Sequence, residues 1–168
     1  MTVEIHDRNN IPRLLNAFPK EKERILRLAG AFLEGKIKEK IQQGDPEWKP
    51  LHPFTIQRKK SDKPLIDTGT HILNRITHKV EGDVVKVGVF GESALIASVH
   101  EFGAKIRVTE KMRKFLHAQG LHLRKATEHI VIPQRSYLRK TFDEQKDEIE
   151  RLIDGKVKTV VEKFVIKL

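Results

Sequence analysis

The chain has 168 residues, with 33 Lys+Arg against 23 Asp+Glu for a formal charge of +10, 38% apolar residues and no cysteine. That length fits one domain able to bury a core, and the composition excludes disulfide scaffolds, thiol nucleophiles and every cysteine-ligated zinc or iron–sulfur site. The longest apolar runs, such as Ala94-Leu95-Ile96-Ala97, are a few residues long, against about 20 for a membrane-spanning helix.

Met1 to Asp7 is acidic and polar where a secretory signal needs a basic start and an apolar centre, so a cytoplasmic start is expected. Ile11, Leu14, Leu15 and Phe18 have helical spacing, and Pro19 is expected to interrupt, with a second helix starting there. In that helix Ile25, Leu28, Ala29, Phe32, Leu33, Ile37 and Ile41 form one apolar stripe. Gly30 and Gly35 each cost it about 1 kcal/mol relative to Ala, so packing has to stabilise it. Gln43-Gly44-Asp45-Pro46 is a stop signal.

Four prolines between 46 and 66 predict a loop with a short helix around 54–60, pinned to the core by Trp48 and Leu51. Thr68-Gly69 precedes a short amphipathic stretch, Ile72, Leu73 and Ile76. Gly82-Asp83 then separates 76–80 from the β-branched run 84–90, which reads as a β-hairpin. Ser93 is a candidate cap for a short helix carrying Leu95, Ile96, Val99 and Phe102, ended by Gly103 at positive φ. Residues 105–108 alternate as a strand, Thr109 caps a small helix with Met112, Phe115 and Leu116 on one face, and a return strand runs through 130–132 to Pro133. Tyr137, Leu138, Phe142, Ile149, Leu152 and Ile153 mark a C-terminal helix, with a break expected at Gly155 before Val157, Val160, Val161 and Phe164. The order predicts an α+β fold, a long N-terminal helix and C-terminal helices packed on a small antiparallel sheet. We read 1–168 as one domain: a helical part at 10–43, a sheet-containing core at 64–132 with a basic insertion at about 105–130, and a helical part at 136–168.

Charge is distributed unevenly: residues 1–48, 49–103 and 141–168 carry +1, +2 and −1, whereas 104–140 carry +8. Lys105, Arg107, Lys111, Arg113, Lys114, Arg124 and Lys125 are the candidate interaction residues of this block. Cations packed within a Debye length favour an anionic neighbour, either a nucleic-acid backbone or an acidic protein face; the plainer reading is a solvated Lys-rich surface. Phe115 is the block's only Phe, Tyr or Trp before Tyr137, which favours phosphate attraction over base stacking.

No reacting constellation is legible. The pairs His71/His78 and His117/His122 are seven and five residues apart, whereas two metal ligands on one helix face need three or four. His100 and Glu101, adjacent on a helix, do not face the same way, and a hydrogen-bonded histidine at a helix end is the expectation. Nucleophile-elbow, zincin and phosphate-loop signatures are absent from the sequence. Neither a catalytic residue, a metal site nor a cofactor is expected, and the chain is not expected to be an enzyme.

Four strings carry a resemblance: Asp45-Pro46-Glu47-Trp48-Lys49-Pro50-Leu51 with Thr55 and Arg58; Pro64-Leu65-Ile66-Asp67-Thr68-Gly69; His100-Glu101-Phe102-Gly103; and Ile132-Pro133-Gln134-Arg135-Ser136-Tyr137-Leu138. In this order the chain resembles phage virion morphogenesis proteins, which include tail completion proteins of contractile-tailed phages and Mu-like prophages. Residues 108–113 resemble the Mu-type insertion. Members often read Ile-Pro-Ala-Arg-Pro-Phe-Leu where this chain has Gln134, Ser136 and Tyr137. The resemblance implies a structural assembly factor at the head–tail junction, forming a ring, by analogy a hexamer, and contacting tail and neck or head proteins. It would act in the bacterial cytoplasm during assembly or in the virion, with no membrane partner. It gives Trp48, Leu51, Gly69, His100, Phe102, Gly103, Pro133 and Arg135 structural roles. A basic DNA-binding module without enzymatic activity is the alternative.

Overall fold

The structure, a computed structural model, describes residues 10–66 and 72–165, with no side-chain description for Val165. Its elements run α1 (Ile11–Gln43), α2 (Pro53–Lys59), β1 (Ile76–Glu81), β2 (Val84–Val89), α3 (Ala94–Phe102), β3 (Ala104–Arg107), α4 (Glu110–Ala118), β4 (His129–Ile132) and α5 (Leu138–Val165). The fold is α+β, as the sequence predicts, and its strands divide into two antiparallel pairs, β1–β2 and β3–β4.

α1 is one continuous helix with Pro19 inside it, so the expected interruption does not occur. Proline's fixed φ is compatible with a helix, and its cost, about 3 kcal/mol, is a lost hydrogen bond to residue i−4 and the crowding of its ring against that carbonyl. Here both Leu15 and Pro19 are exposed, so water can satisfy the carbonyl. Ile25, Ala29, Ile37 and Ile41 are buried on the predicted stripe. Gly30 has a further reason to be glycine: a Cβ there would lie 2.7 Å from Val85 Cγ2 and 2.8 Å from the His78 ring. The β1–β2 hairpin therefore packs directly against the helix backbone, and the Glu34 carboxylate holds the His78 ring in place at 2.7 Å from Nδ1.

In the hairpin Ile76, His78 and Val80 pair with Val89, Val87 and Val85, and these six side chains share the inward face while Thr77, Lys79 and Glu81 are exposed. The core gathers Ile37, Ile41, Trp48, Ile72, Ile76, Val89, Ala97 and Tyr137. Trp48 anchors its loop as expected; Leu51 is only half-buried and is not among the residues packed against that cluster.

Two further expectations are corrected. Ser93 makes no side-chain cap; a 3-10 turn, Gly91–Ser93, leads directly into α3, and Ala94 N donates to Gly91 O. α5 passes through Gly155 unbroken, because one glycine costs about 1 kcal/mol and a long helix with an apolar face absorbs it. Thr109 caps α4 as predicted, its Oγ1 accepting from Met112 N at 3.2 Å. Among the described residues no helix is long and apolar enough to cross a membrane.

Candidate functional site

Three of the four sequence strings meet where α3 ends and α5 begins. Arg135 N donates to His100 O at 2.8 Å, and Arg135 Nη2 donates to Lys49 O at 2.9 Å. Gly103 has φ 75°, and a Cβ there would come within 3.0 Å of Gln134 N and 3.1 Å of Ile132 O. Only glycine permits that approach of the two backbones. Of the remaining string, which begins at Pro64, Leu65 and Ile66 pack on the core, whereas Asp67, Thr68 and Gly69 lie outside the described residues.

Glu101 is the centre of this junction, and it is buried. Its carboxylate accepts from Ser136 Oγ at 2.6 Å, Tyr137 N and Leu138 N at 2.8 Å each and Arg139 N at 3.0 Å. The first amides of a helix have no partner within it, and a carboxylate there also suits the helix dipole. Glu101 thus caps α5 from another helix. Ser136 and Tyr137, where the resembling proteins often carry Pro-Phe, both serve the junction: the hydroxyl of Ser136 donates to Glu101, and fully buried Tyr137 places its OH 3.4 Å from Ala97 O. Burial, reinforced by Glu101, pushes the Tyr137 phenol well above its ordinary pKa.

His100 departs from the sequence expectation. Its carbonyl is hydrogen-bonded, but its ring Nδ1 is buried with no hydrogen-bond partner among the described residues. Burial, with the charges of Arg135 and Lys59, holds the imidazole pKa below its usual value, which favours the neutral ring. Arg135 is itself buried, and burial lowers its pKa. Phe102 is exposed and Pro133 half-buried.

Asp45 ties the end of α1 to α5. Its Oδ2 lies 3.1 Å from Lys40 Nζ and 2.8 Å from Lys140 Nζ, and Oδ1 accepts from Glu47 N at 2.9 Å. Burial alone would raise its pKa, but the bonds from Lys140, Glu47 and Lys40 outweigh it and lower the value to about 2. All these contacts are internal, so the junction works as a fastening between loop 45–51, α3 and α5.

The basic block folds as an arm, β3–α4–β4, entered at Gly103 and left at Pro133. Lys105 pairs across the ladder with Val131 and Arg107 with His129, putting these four on one exposed face. Lys111, Lys114 and Phe115 share the exposed face of α4, and Arg124 and Lys125 are exposed in the following loop. Arg113 behaves differently. Its guanidinium donates to Leu123 O at 3.2 Å, Arg124 O at 2.9 Å and Thr127 O at 2.8 Å, stapling the loop to α4. His117 and His122 meet edge to face with ring centroids 4.2 Å apart. Among the described residues no group of three or more His, Asp or Glu is arranged to hold a metal ion.

Comparison with known proteins finds one family. The model of the phage virion morphogenesis family matches residues 8–158. Neither the curated proteins nor the solved structures yield a match.

Proposed function

Since this chain belongs to the phage virion morphogenesis family, its role in phage assembly is structural, and we propose that it completes the tail or joins it to the head as a subunit of a ring. It does so as a binding part, without an enzymatic step. The observation that carries this reading is how the structure uses its motif residues. Glu101, Arg135, Gly103 and Trp48 fasten internal segments, while the arm presents exposed cations outside that fastening.

Electron microscopy of lysates from a phage or prophage lacking this chain tests the proposal. We expect heads and tails that accumulate without joining, and recovery when the chain is supplied in trans. Normal infectious particles in its absence would remove the assignment.

The exposed arm cations also favour a second reading, binding of duplex DNA by its phosphates. That reading predicts affinity falling with salt at a log–log slope near −0.9 per phosphate contacted. A gel shift with no retention at low salt would discard it.

A further inference from the structure

We infer that the arm of one copy docks on the exposed acidic face of α5 of the next copy, which makes the subunit contact heterologous. The inference rests on the ring reading above and names the surfaces that would build it.

One face of the arm is half-buried, through Ile106, Met112, Leu116, Leu123 and Ile130, and the other is open. Residues 104–132 contain no buried side chain, and Phe115 and Val131 are among the exposed large apolar residues. Six of its cations, Lys105, Arg107, Lys111, Lys114, Arg124 and Lys125, make no ion pair among the described residues. Such a surface repels its own charges and gains from an anionic, partly apolar partner.

This chain carries that partner surface on α5. Asp143, Asp147, Glu150 and Asp154 recur at i, i+4, i+7 and i+11, so they form one stripe along the helix. All four are exposed, and none is ion-paired among the described residues. Between 143 and 154 the cations are Lys146 and Arg151, which flank the stripe. Beside it lies an apolar groove of about 400 Å³ lined by Leu33, Ile37, Val87, Phe142 and Ile149, with Arg139 at its edge. Phe142 is exposed there and can receive Phe115.

The dimensions agree. At about 1.5 Å per residue the stripe runs about 16 Å and α4 about 13 Å, so Lys111 and Lys114 can lie along it with Phe115 toward the groove. Because the arm and the α5 stripe are different surfaces, repetition of the contact propagates head to tail and closes into a ring when the rotation allows.

Sedimentation of the full chain over a concentration series, with charge-reversed variants, is the test. Lys111→Glu/Lys114→Glu and Asp147→Lys/Glu150→Lys should each raise the concentration for half-assembly about 100-fold, since like charges now face each other. Mixed in equal amounts, the two variants should assemble again, and so should the quadruple variant. Circular dichroism verifies that each variant is folded. If the wild type assembles and both variants assemble as it does, this docking is overturned while the ring stands. If the wild type stays monomeric up to millimolar concentration, the ring and this contact fall together. Loss of duplex DNA retention by Lys111→Glu/Lys114→Glu with unchanged assembly would assign the arm to nucleic acid and overturn the contact.

Discussion

Glu101 has the clearest energetic role of any single residue, since one buried carboxylate satisfies three consecutive backbone amides and a hydroxyl. Hydrogen bonds to a charged group contribute about 1.5–3 kcal/mol each, and the amides would be left unsatisfied without it. Glu101→Ala should therefore destabilise by about 3 kcal/mol or more in urea unfolding, and Glu101→Gln by less because one acceptor oxygen remains. Its neighbour governs a pH response. The His100 imidazole has a folded pKa below the 6.5 of the free group, so the unfolded chain binds more protons just below neutrality. Stability is then fully present above pH 6.5 and declines as pH falls through that value toward the folded pKa. His100→Phe should flatten this step in a series of unfolding curves at different pH. Asp45, lowered from 3.8 to about 2, contributes stability above pH 3.8 that is lost as pH falls from there toward 2.

At the scale of elements, the two glycines of α1 make opposed predictions. Gly30 faces Val85 and His78 at distances a Cβ cannot share, while nothing lies within 4 Å of Gly35. Ala at 35 should stabilise by up to about 1 kcal/mol through helix propensity. Ala at 30 gains the same propensity but overpacks a stiff Val and an anchored His ring at a cost of about 1–3 kcal/mol, so the net effect is destabilising. Thermal or urea unfolding of the two variants separates the cases. The same pair shows which features were legible in sequence. Apolar periodicity marks the helical stretches of α1, α3, α4 and α5, because burying one face is a local pattern, and the Gly82-Asp83 turn with its β-branched run marks the hairpin. Local signals overstate the breaks at Pro19 and Gly155: at Pro19 the freed Leu15 carbonyl is open to water, and one glycine costs a long helix about 1 kcal/mol. Ser93 had the chemistry of a cap, but the turn before it already supplied the backbone bond. Glu101 was beyond reach for another reason: its partners are 35 to 38 residues away, and no local spacing encodes them.

For the molecule as a whole, the division that matters is between a fastened body and an arm without its own core. The block of positive charge at 104–140 was readable by counting, and the motif strings marked the junction. Counting did not separate Arg113, which staples the arm, from the exposed cations around it. If the arm is an attachment to the body, it can be removed. Ala104 and Ile132 are cross-strand partners where it leaves, so replacing 105–131 by Asn-Gly gives a two-residue hairpin turn whose preferred geometry suits those strand ends. No buried side chain is lost in that deletion, and Gly103, Gln134, Glu101 and the α5 cap are retained. The shortened chain should unfold cooperatively with a stability within about 1 kcal/mol of the full chain, the range of changes that leave the core intact. A loss of more than about 3 kcal/mol, or a broad transition in circular dichroism, would show that the arm is part of the folding unit.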